Sequence, residues 1–147
     1  MAEVVVGIDF GSSGSGFAYA FKDNEDEIIH GMIQGANVDN KVPTEIILDD
    51  KNFIIQFGAE CKQYLKEKGI NVGHYFKDIK IQLYNKNKFI KAKNSGKELP
   101  LKLVIQKILE KLKELAINEI KSKKPLISES KIKWVVTVPA IWEENEK

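Results

Sequence analysis

The chain has 147 residues, 43% of them hydrophobic and 30% charged, which excludes wholesale disorder and allows one domain with a real core. Its net charge of +2 is too small to indicate a nucleic acid or membrane partner, and without arginine any phosphate contact needs backbone, hydroxyl or ammonium groups. A single cysteine, no apolar stretch of membrane-spanning length and no leader-like start together predict a soluble, cytoplasmic protein without internal disulfides.

Three strands are predicted first, over residues 4–10, 16–21 and 27–33. The first is an apolar, β-branched run typical of a buried strand. A glycine- and serine-rich turn separates it from the second strand, and residues 23–26 (DNED) make the next turn. We expect an antiparallel meander.

The first turn carries the strongest chemical signal. Glycines Gly11 and Gly14 allow close approach of a ligand, and successive backbone N–H groups form a concavity that favours anions. Asp9, at the end of the strand, offers the oxygen ligand that Mg²⁺ prefers. The alternative is a flexible hairpin tip, since the spacing matches neither a P-loop nor a dinucleotide fingerprint.

The middle of the chain predicts a hairpin of residues 44–48 and 53–57, then a helix over 58–68 that ends at Gly69. Cys61 lies on the apolar face of that helix and is interpreted as packed. Residues 84–98 are rich in lysine and asparagine and are interpreted as an exposed loop, with RNA contact as the weaker alternative.

Residues 101–120 have apolar side chains at helical spacing and predict a long amphipathic helix that packs on a core. A strand over 131–138 follows and ends at Pro139. Trp134 and Trp142 flank it and are expected to pack between sheet and helix. This order predicts an α/β domain with a mixed sheet and flanking helices.

Five segments together resemble the heat-shock-seventy family of the actin-like ATPase superfamily, in its divergent member-twelve branch. Residues 6–13 (VGIDFGSS) are similar to the first phosphate motif, and residues 134–142 (WVVTVPAIW) to a strand-and-turn signature of these chaperones. Between them, residues 42–47 (VPTEII), 57–61 (FGAEC) and 75–80 (YFKDIK) are similar to a hairpin, a helix start and a loop that carries a catalytic lysine.

The resemblance implies a role for each matching residue, with ATP or ADP and Mg²⁺ as ligands. Asp9 would hold a water on the metal or orient the attacking water. A phosphate-binding set would contact the β- and γ-phosphates: Gly11, Ser12, Ser13 and Gly14. Lys80 would stabilise charge on the γ-phosphate, and Pro139 would correspond to a switch proline that couples nucleotide state to shape.

Two departures from the family pattern leave alternatives open. Serines Ser12 and Ser13 replace a pair of threonines, and Ile81 follows Lys80 where the main branch has arginine. Lys77, three positions away, therefore competes with Lys80 for the catalytic role. The function implied is a chaperone ATPase of the stress response; the alternatives are a small-molecule kinase of the same fold and a non-catalytic scaffold.

The resemblance also implies a fold and its extent. Residues 1–147 would form most of the first lobe of a ribonuclease H-like, actin-like domain, truncated before the second phosphate and adenosine motifs. The isolated piece is expected to bind ATP weakly or not at all and not to hydrolyse it, because half of the enclosing surface is missing. Client polypeptides and co-chaperones would bind elsewhere. His30 and His74 have no metal-ligand spacing and are interpreted as structural.

Overall fold

The computed structural model of the chain describes residues 1–137. The predicted roles of Pro139 and Trp142, and the end of the last strand at Val138, lie outside the described residues. None of the helices in the described range has the length and apolarity needed to cross a membrane.

Within residues 1–137, five strands precede the first α-helix, and strands and helices are mixed in the second half. The strands are β1 (Val4–Phe10), β2 (Ser15–Phe21), β3 (Ile29–His30), β4 (Ile46–Leu48), β5 (Ile54–Phe57), β6 (His74–Phe76), β7 (Phe89–Lys91), β8 (Glu98–Pro100) and β9 (Ile132–Val136). The helices are α1 (Glu60–Lys68), α2 (Ile79–Tyr84) and α3 (Leu101–Lys123).

A 4-stranded sheet in the order β3-β2-β1-β9 forms the base of the fold. β1 pairs antiparallel with β2 and parallel with β9, so the sheet is mixed, as predicted. Alternate residues of β1 are buried, which turns its apolar side chains to one face of the sheet. The predicted meander is present, although β3 is confined to Ile29 and His30, the two residues that pair with β2.

Helix α3 packs across β1 and β2 and forms the centre of the core, as the apolar spacing predicted. Its buried side chains recur every three or four residues: Leu101, Val104, Ile105, Ile108, Leu112, Ala116 and Ile120. Trp134 of β9 is partly buried against the same core, and the Lys113 ammonium of α3 lies 5.6 Å from its ring centroid.

A 3-stranded sheet in the order β5-β4-β6 lies beside this unit and carries α1. Cys61 is fully buried in a small cluster with Ile47 and Tyr75, which confirms that it is packed. Burial raises the pKa of the Cys61 thiol to about 12, so it is not a nucleophile at neutral pH.

The interpretation of residues 84–98 as an exposed loop is wrong. β7 and β8 pair as a hairpin that buries Ile90, Ala92 and Leu99. Each strand has three residues with one buried residue at its centre, so the alternation is too short to be recognised in the sequence. β6 and α2 were not predicted either, since both are too short for a periodic pattern.

Candidate functional site

The turn between β1 and β2 is closed too tightly for side chains at its glycines. Pairing of the two strands continues to Phe10 opposite Ser15, so residues 11–14 alone reverse the chain. A Cβ added at Gly11 would lie 2.3 Å from the Gly14 carbonyl oxygen. A Cβ at Gly14 would lie 3.3 Å from the Val42 carbonyl oxygen. The turn therefore requires glycine at position 11 and has little space for a side chain at position 14.

Two buried hydroxyl groups support the turn from beneath. Thr44 Oγ1 donates to the Gly11 carbonyl oxygen at 2.8 Å and lies 2.7 Å from Ser15 Oγ. Because the Thr44 proton is engaged with Gly11, the Ser15 hydroxyl is the donor to Thr44. Ser15 and Val42 also exchange two backbone hydrogen bonds, which fix the segment before Thr44 against β2.

Thr137, directly after β9, fixes the end of β1 from the other side. Its backbone N–H donates to the Ile8 carbonyl oxygen at 3.0 Å, and its hydroxyl donates to the same oxygen at 3.3 Å. The Phe10 N–H donates to Thr137 Oγ1 at 3.4 Å. Asp9 thus sits between two residues whose backbone is held by β9.

The Asp9 carboxylate projects at the surface and forms an ion pair with Lys41, a partner that the sequence analysis did not predict. Lys41 Nζ lies 2.6 Å from Asp9 Oδ2, and the two side chains are 38% and 46% exposed. The hydrogen bond and charge of Asp9 raise the pKa of Lys41, so this lysine is a cation at neutral pH. The pair is open to solvent, so it is accessible to a ligand.

Lys80 reaches the same corner from α2. Its ammonium donates to the Phe10 carbonyl oxygen at 3.3 Å, although the two residues are 70 positions apart. Asp78 adopts a left-handed conformation (φ 55°) before the helix, and Ile79 is fully buried beside it. This arrangement turns Lys80 towards the end of β1, whereas Lys77 makes no such contact among the described residues.

Comparison with known proteins shows which family the chain belongs to. No protein-family model matches the chain. It is 30% identical over 158 residues to heat shock 70 kDa protein 12B of Homo sapiens and 30% identical over 158 residues to protein 12A of Homo sapiens. It is also 31% identical over 167 residues to protein 12A of Mus musculus. The chain belongs to the heat shock protein 70 family.

In each case the similarity covers 98% of this heat-shock-70 chain but 23% of the relative. The chain therefore spans about a quarter of the length of the curated relatives that it matches. The mixed sheet with its helices is consistent with part of an actin-type ATPase of this family.

The residues at the turn of this heat-shock-70 chain fit a magnesium-bound polyphosphate. Ser12 and Ser13 are exposed, and glycine at positions 11 and 14 lets the turn close tightly beneath them. Lys80 and Lys41 supply cationic donors, and Asp9 supplies one carboxylate. No group of three His, Cys, Asp or Glu side chains suited to a metal occurs in residues 1–137, so a cation would need phosphate and water oxygens as further ligands.

His74 lies in a different part of the heat-shock-70 chain and is structural, as predicted. Its Nε2 donates to Asp50 Oδ1 at 2.6 Å, and its Nδ1 lies 2.7 Å from Ser95 Oγ. Both ring nitrogens are thereby engaged within the protein. His30 is an exposed residue of β3, paired with Ala18.

The sequence analysis missed Lys41, Ser15 and Thr44 at this site. Lys41 directly precedes the segment that resembles the family hairpin, and Thr44 lies within that segment. The signal available for Thr44 was a hydroxyl residue at the start of a buried strand. Nothing in the sequence distinguishes Lys41 from the other lysines.

Proposed function

We propose that the chain is the phosphate-binding part of an ATPase, in the first lobe of a ribonuclease H-like, actin-like domain. The ligand is the terminal phosphate groups of ATP or ADP together with Mg²⁺. The contact that carries the proposal is the hydrogen bond from Lys80 to Phe10, because it brings a cation from a distant element to the mouth of the glycine turn.

The residues of the turn, Lys80 and Asp9 have different roles in this proposal. The N–H groups of residues 11–14 and the hydroxyls of Ser12 and Ser13 bind phosphate oxygens. Lys80 stabilises the charge that develops on them, and its assignment in preference to Lys77 is supported by the contact with Phe10. Asp9 holds a metal-bound water or orients the attacking water. Magnesium, when bound, supplies neutralisation of phosphate charge.

The geometry is suited to phosphoryl transfer because that reaction depends on positioning and electrostatics more than on covalent chemistry by the protein. By analogy with oxyanion donors, loss of one such contact costs about 3 kcal/mol, or roughly a hundredfold in rate. Lys80 and Asp9 are the two residues at which we expect losses of this size in the longer protein.

For the whole protein we propose a chaperone of the stress response in the cytoplasm, with client polypeptides and co-chaperones bound by other parts. Residues 1–147 alone are expected to bind nucleotide weakly and not to hydrolyse it, since they line the ligand from one side.

A non-catalytic scaffold is the second candidate, and one contact favours it. The ammonium of Lys41 lies against the carboxylate that would face the metal, at a distance of 2.6 Å. A protein that no longer bound Mg²⁺ would tolerate such a pair permanently.

A titration followed by amide chemical shifts tests the proposal on the 147-residue chain. Millimolar tripolyphosphate with Mg²⁺ should shift the resonances of Asp9 and of residues 11–14. The variants Lys80→Ala and Asp9→Asn should weaken the effect, and Lys51→Ala, in the exposed β4–β5 turn, should not. Shifts that avoid the turn, or that persist unchanged in both variants, would contradict the proposal. In the longer protein, absence of ATP turnover in the unaltered protein would identify the scaffold, and turnover that survives both substitutions would rule out the roles of Lys80 and Asp9.

A further inference from the structure

We infer that Lys41 is a second cationic ligand of the phosphate turn, whose ammonium neutralises Asp9 in the free protein and transfers to a phosphate oxygen when a polyphosphate binds. The inference rests on the proposed function and adds a residue to it. It also accounts for the ion pair that would otherwise compete with Mg²⁺ at Asp9.

The stem of Lys41 crosses the glycine turn. A Cβ added at Gly14 would lie 3.2 Å from Lys41 Cβ, and one added at Gly16 would lie 3.5 Å from Lys41 Cγ. The ammonium at the other end of the stem reaches Asp9. The side chain therefore runs along one wall of the turn, from the start of β2 to the end of β1.

The backbone beneath this side chain is fixed. The Lys41 N–H donates to Asn37 Oδ1 at 3.1 Å, and its carbonyl oxygen accepts from the Asn37 N–H at 2.8 Å. The next residue, Val42, is bonded to Ser15 in both directions. A fixed backbone with a half-exposed, flexible stem lets the ammonium move between neighbouring acceptors without any rearrangement of the turn.

The charges around the turn make this movement favourable. Asp9 and Asp39 both act electrostatically on Lys41, and Lys80 supplies the second positive charge nearby. Exposed ion pairs contribute little to stability, so Asp9 releases Lys41 easily. When Mg²⁺ takes the carboxylate, the freed ammonium can move to the phosphate oxygens bound at the turn.

The test measures the affinity of the chain for two probes, Mn²⁺ and tripolyphosphate. Replacement of Lys41 should change these two affinities in opposite directions. In Lys41→Met, Mn²⁺ alone, followed by relaxation broadening at Asp9 and Gly11, should bind about two- to fivefold more tightly because its competitor is gone. Metal-free tripolyphosphate should bind about three- to tenfold more weakly. Lys41→Arg keeps the charge and should stay near the unaltered chain for both probes. Lys51→Met is the matched control for loss of one positive charge at a distance, and it should change neither affinity.

Asp9→Asn separates transfer of Lys41 from a general charge effect. This variant frees Lys41 and should bind metal-free tripolyphosphate more tightly than the unaltered chain. In the double variant Asp9→Asn/Lys41→Met, the gain should disappear. A gain that persists in the double variant, or a Lys41→Met variant in which both affinities are unchanged, would overturn the inference.

The outcomes distinguish this inference from the proposed function. If the unaltered chain binds tripolyphosphate and Lys80→Ala weakens it while Lys41→Met does not, only the role of Lys41 is refuted. If tripolyphosphate shifts no resonance of the turn at millimolar concentration, the phosphate site and the role of Lys41 are refuted together.

Discussion

Two polar clusters at opposite ends of β4 differ in how completely their groups are hydrogen-bonded. Around His74, beyond Leu48, each polar group has a partner: His74 contacts Asp50 and Ser95, and Asn94 accepts from the Tyr75 N–H and donates to two carbonyl groups. At the glycine turn, near Thr44, Ser12 and Ser13 are exposed, Asp9 and Lys41 form an ion pair at the surface, and Lys80 contacts the Phe10 carbonyl oxygen.

This difference indicates that one cluster stabilises the fold and the other can bind a ligand. In the His74 cluster the side chains join the β4–β5 turn, β6 and the β7–β8 hairpin, so their hydrogen bonds stabilise the fold. At the turn, the buried Ser15 and Thr44 bear the structural role, and the exposed groups retain capacity to bind a ligand. Substitutions in the first cluster should therefore change stability, and those in the second should change binding.

The largest effect is expected from Gly11→Ala. The added methyl group would lie 2.3 Å from the Gly14 carbonyl oxygen, so the turn must open. We expect a loss of about 3 kcal/mol in the free energy of unfolding and loss of detectable tripolyphosphate binding. Urea unfolding and the shift titration measure the two effects. Gly7→Ala is the control, because a Cβ there would lie 4.0 Å from its nearest neighbour. Equal behaviour of the two variants would contradict the geometry of the turn.

Asn94→Ala should separate stability from binding. It removes the hydrogen bonds to Tyr75, Ile70 and Gly73 and should lower the free energy of unfolding by about 2 kcal/mol. Tripolyphosphate affinity of the folded protein should stay the same. Asn87→Ala removes one exposed contact with Gln82 and should cost much less in the same unfolding experiment. Weaker phosphate binding in Asn94→Ala would show that the two clusters are coupled.

The paired substitution Ser12→Ala/Ser13→Ala should weaken phosphate binding without lowering stability, the reverse of Asn94→Ala. Both side chains are exposed, so the free energy of unfolding should change by no more than about 0.5 kcal/mol. Tripolyphosphate affinity should fall several-fold, as measured by the shift titration. Unchanged affinity would show that the backbone N–H groups bind the phosphates and that the two hydroxyl groups do not.

The smallest effect concerns pH. The hydrogen bond from His74 lowers the pKa of Asp50, so this contact stabilises the protein above the unfolded-state pKa and is lost as pH falls through the folded value. Below about pH 4, the thermal midpoint of the unaltered chain should therefore fall more steeply than that of Asp50→Asn. Asp26→Asn, in an exposed turn, should not flatten the profile. Parallel profiles for all three proteins would contradict the assigned contact.

Sequence reasoning located the elements whose pattern is complete within one segment. β1 has the predicted bounds, and α3 begins at the predicted Leu101 and ends at Lys123, three residues beyond the predicted end, because alternation and helical spacing are local properties. The β7–β8 hairpin, β6 and α2 were missed because short elements depend on contacts with distant residues, such as those of Asn94. At the site, the glycines and Asp9 carry a chemical signal of their own. The family resemblance identified Lys80 as a site residue, whereas Lys41 is recognised only from its contact with Asp9 in the structure.

The position of Asp9 has one further consequence, which follows from the central place of β1 in its sheet. Partners on both sides fix its alignment: Asp9 lies opposite Gly16 of β2, and Ile8 opposite Val136 of β9. A slip by one residue along either neighbour would turn the acid inward and push Phe10 out into water. The strand register that buries the Phe10 ring is thus the same one that exposes the Asp9 carboxylate. Selection for a well-packed interior therefore also preserves the orientation of this carboxylate.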